Sequence, residues 1–289
     1  MTQGWRALTR EQLDWAYDQR HHAPNMQEVM ARLTAAGHQA QAGFKHRQRI
    51  AYGTEPIEML DWYPCQKEGA PVLFFVHGGA WRSGEAKDFA FWVEWLTQAG
   101  FDVVIPDFSA VQDVGGDLQV LVNQLSAAIE RVLKALHPLQ TEVHLCGHSS
   151  GAHLAACLAV RFASCDTLRS LTACSGMYDL EPVSLSSRNL YVKFTPAVIE
   201  NLSPIRHAHQ FRIPVNLLVG SMESPEFIRQ AQAFQAQLGE HQATTRLTVG
   251  EGLNHFEILE TLQAPTQGAT QGATQGLFAQ SLLSQLRPV

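Results

Sequence analysis

The sequence predicts an α/β fold, with a mostly parallel central sheet, helices on both faces and a short cap over one edge. Three observations carry that expectation. Short apolar runs of strand length alternate with amphipathic stretches of helix length from Val72 to Val249. The first run of that series, Val72 to Val76, is continuously apolar, as befits a strand buried on both faces. The chain has 289 residues, 45% hydrophobic and 17% charged, enough for one large core.

The elements follow in order. Thr9 to about Gln41 is patterned as helix. Leu13, Trp15, Ala16 and Tyr17 lie in one stretch, and Val29, Met30 and Leu33 form the stripe of a second after Pro24 and Asn25. This segment precedes the first strand, so residues 1–45 read as a helical extension packed on the main domain. Ile50 to Tyr52 and Met59 to Tyr63 read as two antiparallel strands around Thr54, Glu55 and Pro56. After the strand Val72 to Val76 come a helix over Asp88 to Ala99 and a strand over Phe101 to Ile105. A long helix covers Leu118 to Leu136, followed by a strand from Val143 to Cys146 and an Ala-rich helix from Gly151 to Phe162. Leu171 to Cys174, Val215 to Val219 and Thr245 to Val249 complete the strands, with a helix over Pro225 to Leu238 and a last one over Leu277 to Leu286. Residues 176–212, with Tyr178, Tyr191, Phe194 and Pro196, form the expected cap over the C-terminal edge of the sheet, where such folds build their sites. Residues 265–276 read PTQGATQGATQG. So polar and Gly-rich a repeat cannot bury a core and reads as a surface loop. The whole, 1–289, is expected to be one domain.

Composition narrows the function classes. The formal net charge is −6 with the two signs intermixed, which gives no footprint for nucleic acid and no polybasic membrane patch. No apolar run approaches the roughly 20 residues of a membrane span. Met1 to Arg10 lacks the apolar core of a signal peptide, so a cytoplasmic location is expected. The five cysteines show no C-x-x-C spacing and read as small buried hydrophobes in a reducing compartment. Neither His21-His22 nor His207/His209 belongs to a recognisable ligand set, so no metal or other cofactor is expected. The expected partner is a small-molecule substrate, and a homodimer is compatible with the sequence.

The strongest chemical signal is Gly147-His148-Ser149-Ser150-Gly151, placed between a strand and a helix. A turn that tight has no room for side chains at its flanks, which explains the glycines. It leaves Ser149 at the tip with a helix N-terminus behind it. This is the nucleophile position of an α/β-hydrolase fold. His77-Gly78-Gly79-Ala80-Trp81 directly follows the strand Val72 to Val76. Acyl transfer builds negative charge on a carbonyl oxygen, and backbone N–H groups at such a glycine loop stabilise it. Gly78, Gly79 and Ser150, the residue after the nucleophile, are the candidate oxyanion donors.

A serine nucleophile needs a base, and the base an orienting carboxylate, in the chain order Ser, acid, His. His255 lies after the last strand, where the base belongs. His153 is one turn into the helix after the serine, and His207 and His209 come too early. Glu223 lies in the loop after the strand Val215 to Val219 and is the candidate acid, with Asp179 its rival. Glu226 falls in the next helix. With both motifs and the triad order intact, a non-catalytic binding module is disfavoured.

The chain resembles bacterial kynurenine formamidases (arylformamidases) in the esterase/lipase branch of the α/β-hydrolases. The resemblance rests on Leu13-Asp14-Trp15-Ala16-Tyr17, Leu60-Asp61-Trp62-Tyr63-Pro64, His77-Gly78-Gly79-Ala80-Trp81-Arg82 and Gly147 to Leu154. It continues through Ser175 to Leu180, Leu202-Ser203-Pro204, Glu223 to Phe227 with Arg229-Gln230, and Asn254-His255-Phe256. Tryptophan in the HGG-x-W loop is the feature that points to formamidases. The resemblance implies a triad at Ser149, Glu223 and His255, oxyanion donors at Gly78, Gly79 and Ser150, and a small aryl formamide such as N-formylkynurenine as substrate. A small-ester carboxylesterase or an aryl-amide amidase would use the same machinery. Trp81, Phe108 and Tyr191 are the expected substrate-binding residues, with core packing the equal alternative for Trp81. The chain departs from the family at Phe108-Ser109-Ala110, where a Tyr-containing segment is expected, and at Leu185 to Ile199 in the cap.

Overall fold

The computed structural model describes residues 4–136, 141–263 and 276–286. The expected repeat loop lies, but for Gly276, outside the described residues. Among the described residues eight strands form one sheet: β1 (Gln48–Ala51), β2 (Met59–Tyr63), β3 (Val72–Val76), β4 (Asp102–Pro106), β5 (Val143–His148), β6 (Leu168–Cys174), β7 (Val215–Gly220) and β8 (Thr245–Gly250). Their spatial order is β1-β2-β4-β3-β5-β6-β7-β8. Only the β1–β2 and β2–β4 pairings are antiparallel. All others are parallel.

Alternation along the central strands builds a core on each face. Val72, Phe74 and Val76 of β3 join one apolar cluster, whereas Leu73 and Phe75 join the other. The first cluster is closed by α4 (Leu118–Leu136) and α5 (Ser150–Arg161). In α4, Leu118, Leu121, Val122, Leu125, Ile129 and Val132 recur at helical spacing and are buried. The second cluster is closed by α2 (Met26–Gly43), α3 (Val93–Gln98) and α10 (Leu277–Leu286).

The helix expected over Asp88 to Ala99 is divided. Ala86–Trp92 is a 3₁₀ segment and only α3 is α-helical. The 3₁₀ segment lies close against α2: a Cβ on Gly37 would stand 2.5 Å from the Lys87 carbonyl oxygen and 2.7 Å from that of Asp88. At its start Ala86 N–H, which has no partner inside the helix, donates to Asp107 Oδ1 at 2.6 Å.

The N-terminal extension holds α1 (Arg10–Tyr17), a 3₁₀ turn (Gln19–His21) and α2. Thr9 and Gln12 cap α1 reciprocally. Leu13, Tyr17, Val29 and Leu33 are buried, whereas Trp15 is exposed. The cap region contains α6 (Leu180–Ser184), α7 (Pro196–Asn201) and two 3₁₀ segments, Ser187–Leu190 and Pro204–Gln210. The remaining helices are α8 (Pro225–Glu240) and α9 (Glu257–Glu260). Among the described residues no helix is long and apolar enough to cross a membrane. Cys146, Cys157 and Cys174 are buried, Cys65 and Cys165 half-buried, and all five are free thiols.

Candidate active site

At the end of β5 the chain turns into α5 through Ser149, whose φ of 56° lies in the left-handed region. A serine held there is strained, and the fold supplies the restraint. Its N–H donates to the Cys174 carbonyl at 2.8 Å. The flanking glycines are required by contact. A Cβ on Gly147 would stand 2.5 Å from the Gly151 carbonyl oxygen, and one on Gly151 2.1 Å from that of Val76. The packing of α5 against β3 therefore admits only hydrogen at these positions.

The loop after β8 brings His255 to the serine: His255 Nε2 stands 2.9 Å from Ser149 Oγ. His255 Nδ1 stands 2.7 Å from Glu223 Oε2. All three side chains are buried. Placing the proton on Nδ1, as a carboxylate partner requires, leaves Nε2 to accept from the serine hydroxyl. Glu223 is held in turn by its other oxygen, which accepts from Ser175 O–H at 2.6 Å and from Gly220 N–H at 2.8 Å. Asp179, the rival acid, caps α6 by accepting from Glu181 N–H at 3.1 Å. Burial raises its carboxyl above the usual range. It has no contact with His255 among the described hydrogen bonds.

The HGG loop lies against the serine. A Cβ on Gly78 would stand 3.3 Å from Ser149 Cβ, and Gly79 has a φ of 121°. Among the described residues no backbone hydrogen bond engages the N–H groups of Gly78, Gly79 or Ser150. The Ser150 group is also the first of α5 and has no partner inside the helix. Three donors are thus left open beside the serine.

Two expected substrate-binding residues are corrected. Trp81 is 1% exposed and is not part of the cavity wall. Ala80 and Trp81 both take positive φ, 56° and 62°, which turns the indole inward. There Trp81 Nε1–H donates to His153 Nδ1 at 3.3 Å, and the Trp81 N–H donates to Ser150 Oγ at 3.2 Å. His153 packs locally, its Nε2 2.7 Å from the Leu202 carbonyl oxygen, and burial pushes its pKa down to about 4. Phe108 is likewise buried. Its ring stacks on His77, centroids 4.4 Å apart, and Phe89 stacks on His77 at 5.3 Å.

Tyr191 does line the cavity, which holds about 800 Å³ and also reaches Ser149, His255, Gly78 and Gly79. Its aromatic walls come from Tyr17, Phe89, Tyr191 and Phe256, so the extension, the cap and the His255 loop all contribute.

Several residues escaped the sequence reading. His148, inside the serine motif, places Nε2 2.9 Å from the His255 carbonyl oxygen, tying the elbow to the base loop. Burial holds its pKa well below the ordinary value. Its position next to the serine was the available signal. Ser175 and Tyr17 lie in segments that carry the family resemblance, but no local pattern identifies the partners they hold. Tyr17 O–H donates to Glu226 Oε2 at 2.9 Å, and Gln19 Nε2 donates to Ser224 Oγ at 3.2 Å. Asn25 Nδ2 donates to Glu257 Oε1 at 2.6 Å and its Oδ1 accepts from Asn254 Nδ2 at 2.8 Å. The extension therefore grips both the acid loop and the base loop.

Comparison with known proteins agrees with this architecture. Residues 60–235 match the model of the family described as BD-FAE. A kynurenine formamidase of Danio rerio is 25% identical over 89% of this chain and 93% of its own length. An isoprenylcysteine alpha-carbonyl methylesterase of Arabidopsis thaliana is 25% identical over 77% of this chain and 58% of its own. Among solved structures, a provisionally described thioesterase from Silicibacter sp. superposes with a TM-score of 0.74 at 22% identity, covering 91% of this chain and 98% of that one.

Proposed function

The chain belongs to the BD-FAE family, and from that premise we propose that it cleaves a small aryl formamide, such as N-formylkynurenine, through an acyl-enzyme at Ser149. It is a hydrolase of the α/β-hydrolase fold. The observation that carries the reading is the hydrogen-bonded line Ser149–His255–Glu223 in the wall of an aromatic-sided cavity. The kynurenine formamidase relative, matched over most of both chains, supports the formamide in particular.

His255 takes the Ser149 proton as the oxygen attacks the formyl carbon. Glu223 keeps the imidazole oriented and offsets its positive charge. The Gly78, Gly79 and Ser150 N–H groups stabilise the oxyanion. His255 then protonates the departing arylamine, leaving a formyl ester on Ser149. Water attacks that ester, giving its proton to His255, and formate is released as the serine is reprotonated. The close approach of Gly78 to Ser149 sets the glycine loop beside the oxygen that attacks. Tyr17, Phe89, Tyr191 and Phe256, rather than Trp81, offer apolar faces to the aryl group.

Small-ester hydrolysis is the second reading, favoured by the methylesterase relative. The test is the rate on formanilide against acetanilide, each divided by its base-catalysed rate. The formamide reading requires formanilide to remain the better substrate after that correction. Parity, or a preference for acetanilide or longer acyl anilides, overturns it and leaves an esterase or amidase with the same triad.

A further inference from the structure

Arginines in the cavity wall are not all neutralised. Arg20 is paired with Asp18 at 2.5 Å. Arg82 and Arg188 have no carboxylate within ion-pair distance among the described residues. Arg82 is exposed, its guanidinium 4.5 Å from the centre of the Tyr191 ring. Arg188 is the anomaly. It is 9% exposed, and a buried charge normally has a counter-charge. Its Nη1 donates to Tyr191 Oη at 3.0 Å and its Nη2 to the Tyr17 carbonyl at 2.8 Å, both neutral acceptors. Its Nε is buried with no hydrogen-bond partner. The guanidinium lies 5.5 Å from the centre of the Trp81 ring, and the Trp81 N–H in turn reaches Ser150 Oγ. A charge that is desolvated, partly unsatisfied and part of the wall that holds Ser149 is arranged for an anion not present in the protein itself.

We infer that Arg188 is a specificity-determining residue that binds a carboxylate on the substrate. The inference rests on the formamide reading for the rest of the substrate. A formyl group carries no side chain, so the carboxylate belongs to the arylamine leaving group. The guanidinium fork matches a carboxylate, whereas a neutral amide in its place forfeits the charge-assisted bonds. Tyr17 and Tyr191 hold the fork from the extension and the cap, so both segments take part in selecting the substrate.

The experiment compares N-formylkynurenine with its α-carboxamide, at a pH low enough that both α-amines are protonated, so that the two differ in the anion. The wild-type protein should favour the carboxylate in kcat/KM by about 10–100-fold, the value of hydrogen bonds to a charged group. Arg188→Gln should bring that ratio close to one, and Arg188→Lys should leave it in between. The ratio is internal to each protein, so a loss of folded material cancels. A ratio unchanged in Arg188→Gln, with both rates falling together, means that Arg188 only braces Tyr17 and Tyr191, and overturns the inference. So does a wild-type ratio near one. A parallel measurement does not need formamide turnover: competitive inhibition of p-nitrophenyl acetate hydrolysis by kynurenine and by kynurenine amide. Tighter inhibition by kynurenine, lost in Arg188→Gln, supports the anchor even if formamides prove not to be substrates. Equal inhibition constants in the wild-type protein contradict it.

Discussion

Between Gly147 and Gly151, five consecutive residues meet demands set within a few ångströms of the backbone. Between Tyr17 and Asn25, the contacts that matter reach partners 171 to 232 positions away. The first region can be read locally. Glycine is obligatory where a Cβ would strike carbonyl oxygens of Gly151 and Val76, and a strand before and a helix after define the turn. The second cannot, because nothing in Tyr17-Asp18-Gln19 announces Glu226, Ser224 or Arg188 as partners. The two regions also do different work. In the proposed reaction the elbow and its two loops carry the chemistry, whereas the extension and cap supply walls of the cavity around them.

Substitutions separate the two roles, beginning with the elbow. Ser149→Ala and His255→Ala should each lower kcat by a factor on the order of 10⁴ or more. Steady-state kinetics on folded protein check this, and near-normal turnover in either variant removes the triad assignment. Glu223→Gln should cost about 10²–10⁴ in kcat, since a neutral amide can stabilise the wrong imidazole tautomer. Asp179→Asn, away from the imidazole, should stay within about tenfold of wild type. A reversed order of those two variants reassigns the acid.

The extension should behave differently. Asn25→Ala removes two hydrogen bonds to the His255 loop, one of them to a carboxylate. It should lower stability by about 1–3 kcal/mol in urea unfolding, with kcat changed by less than about tenfold. A loss comparable to that of His255→Ala would mean that the extension belongs to the catalytic machinery itself.

A further effect is one of pH on stability, with no bearing on turnover. Burial lowers the pKa of His153 from 6.5 to about 4. The unfolded chain therefore binds the proton that the folded chain refuses. The stabilising contribution is complete above pH 6.5 and is lost as pH falls towards 4, at up to about 1.4 kcal/mol per pH unit. His153→Gln should flatten the decline in unfolding free energy over that window. An unchanged slope would show that the imidazole is protonated in the folded protein.

Legibility in the sequence follows the same division. The sheet, α4, the serine motif, the HGG loop and the positions of Glu223 and His255 were visible because each is set by short-range pattern or chain order. The helix over Asp88 to Ala99 is not legible in full because its first half is a 3₁₀ segment packed on Gly37, some fifty residues earlier, a contact that no local pattern shows. Trp81 and Phe108 read as pocket residues in the sequence because large aromatics near a site suggest a binding face. Two positive-φ residues in the loop and the stacking of His77 between Phe89 and Phe108 turn both inward. Tyr191 was visible as an aromatic in the cap. Arg188, three residues before it, was not, because an arginine in a polar stretch looks solvated until its burial is seen.

The central claim is that Ser149, activated by His255, is the nucleophile. Its most direct measurement is labelling with a fluorophosphonate probe followed by mass-spectrometric location of the adduct. One adduct, on the peptide that carries Ser149, is the predicted result, with its rate reduced by orders of magnitude in His255→Ala. An adduct on another residue, or undiminished labelling of Ser149→Ala, would contradict the account.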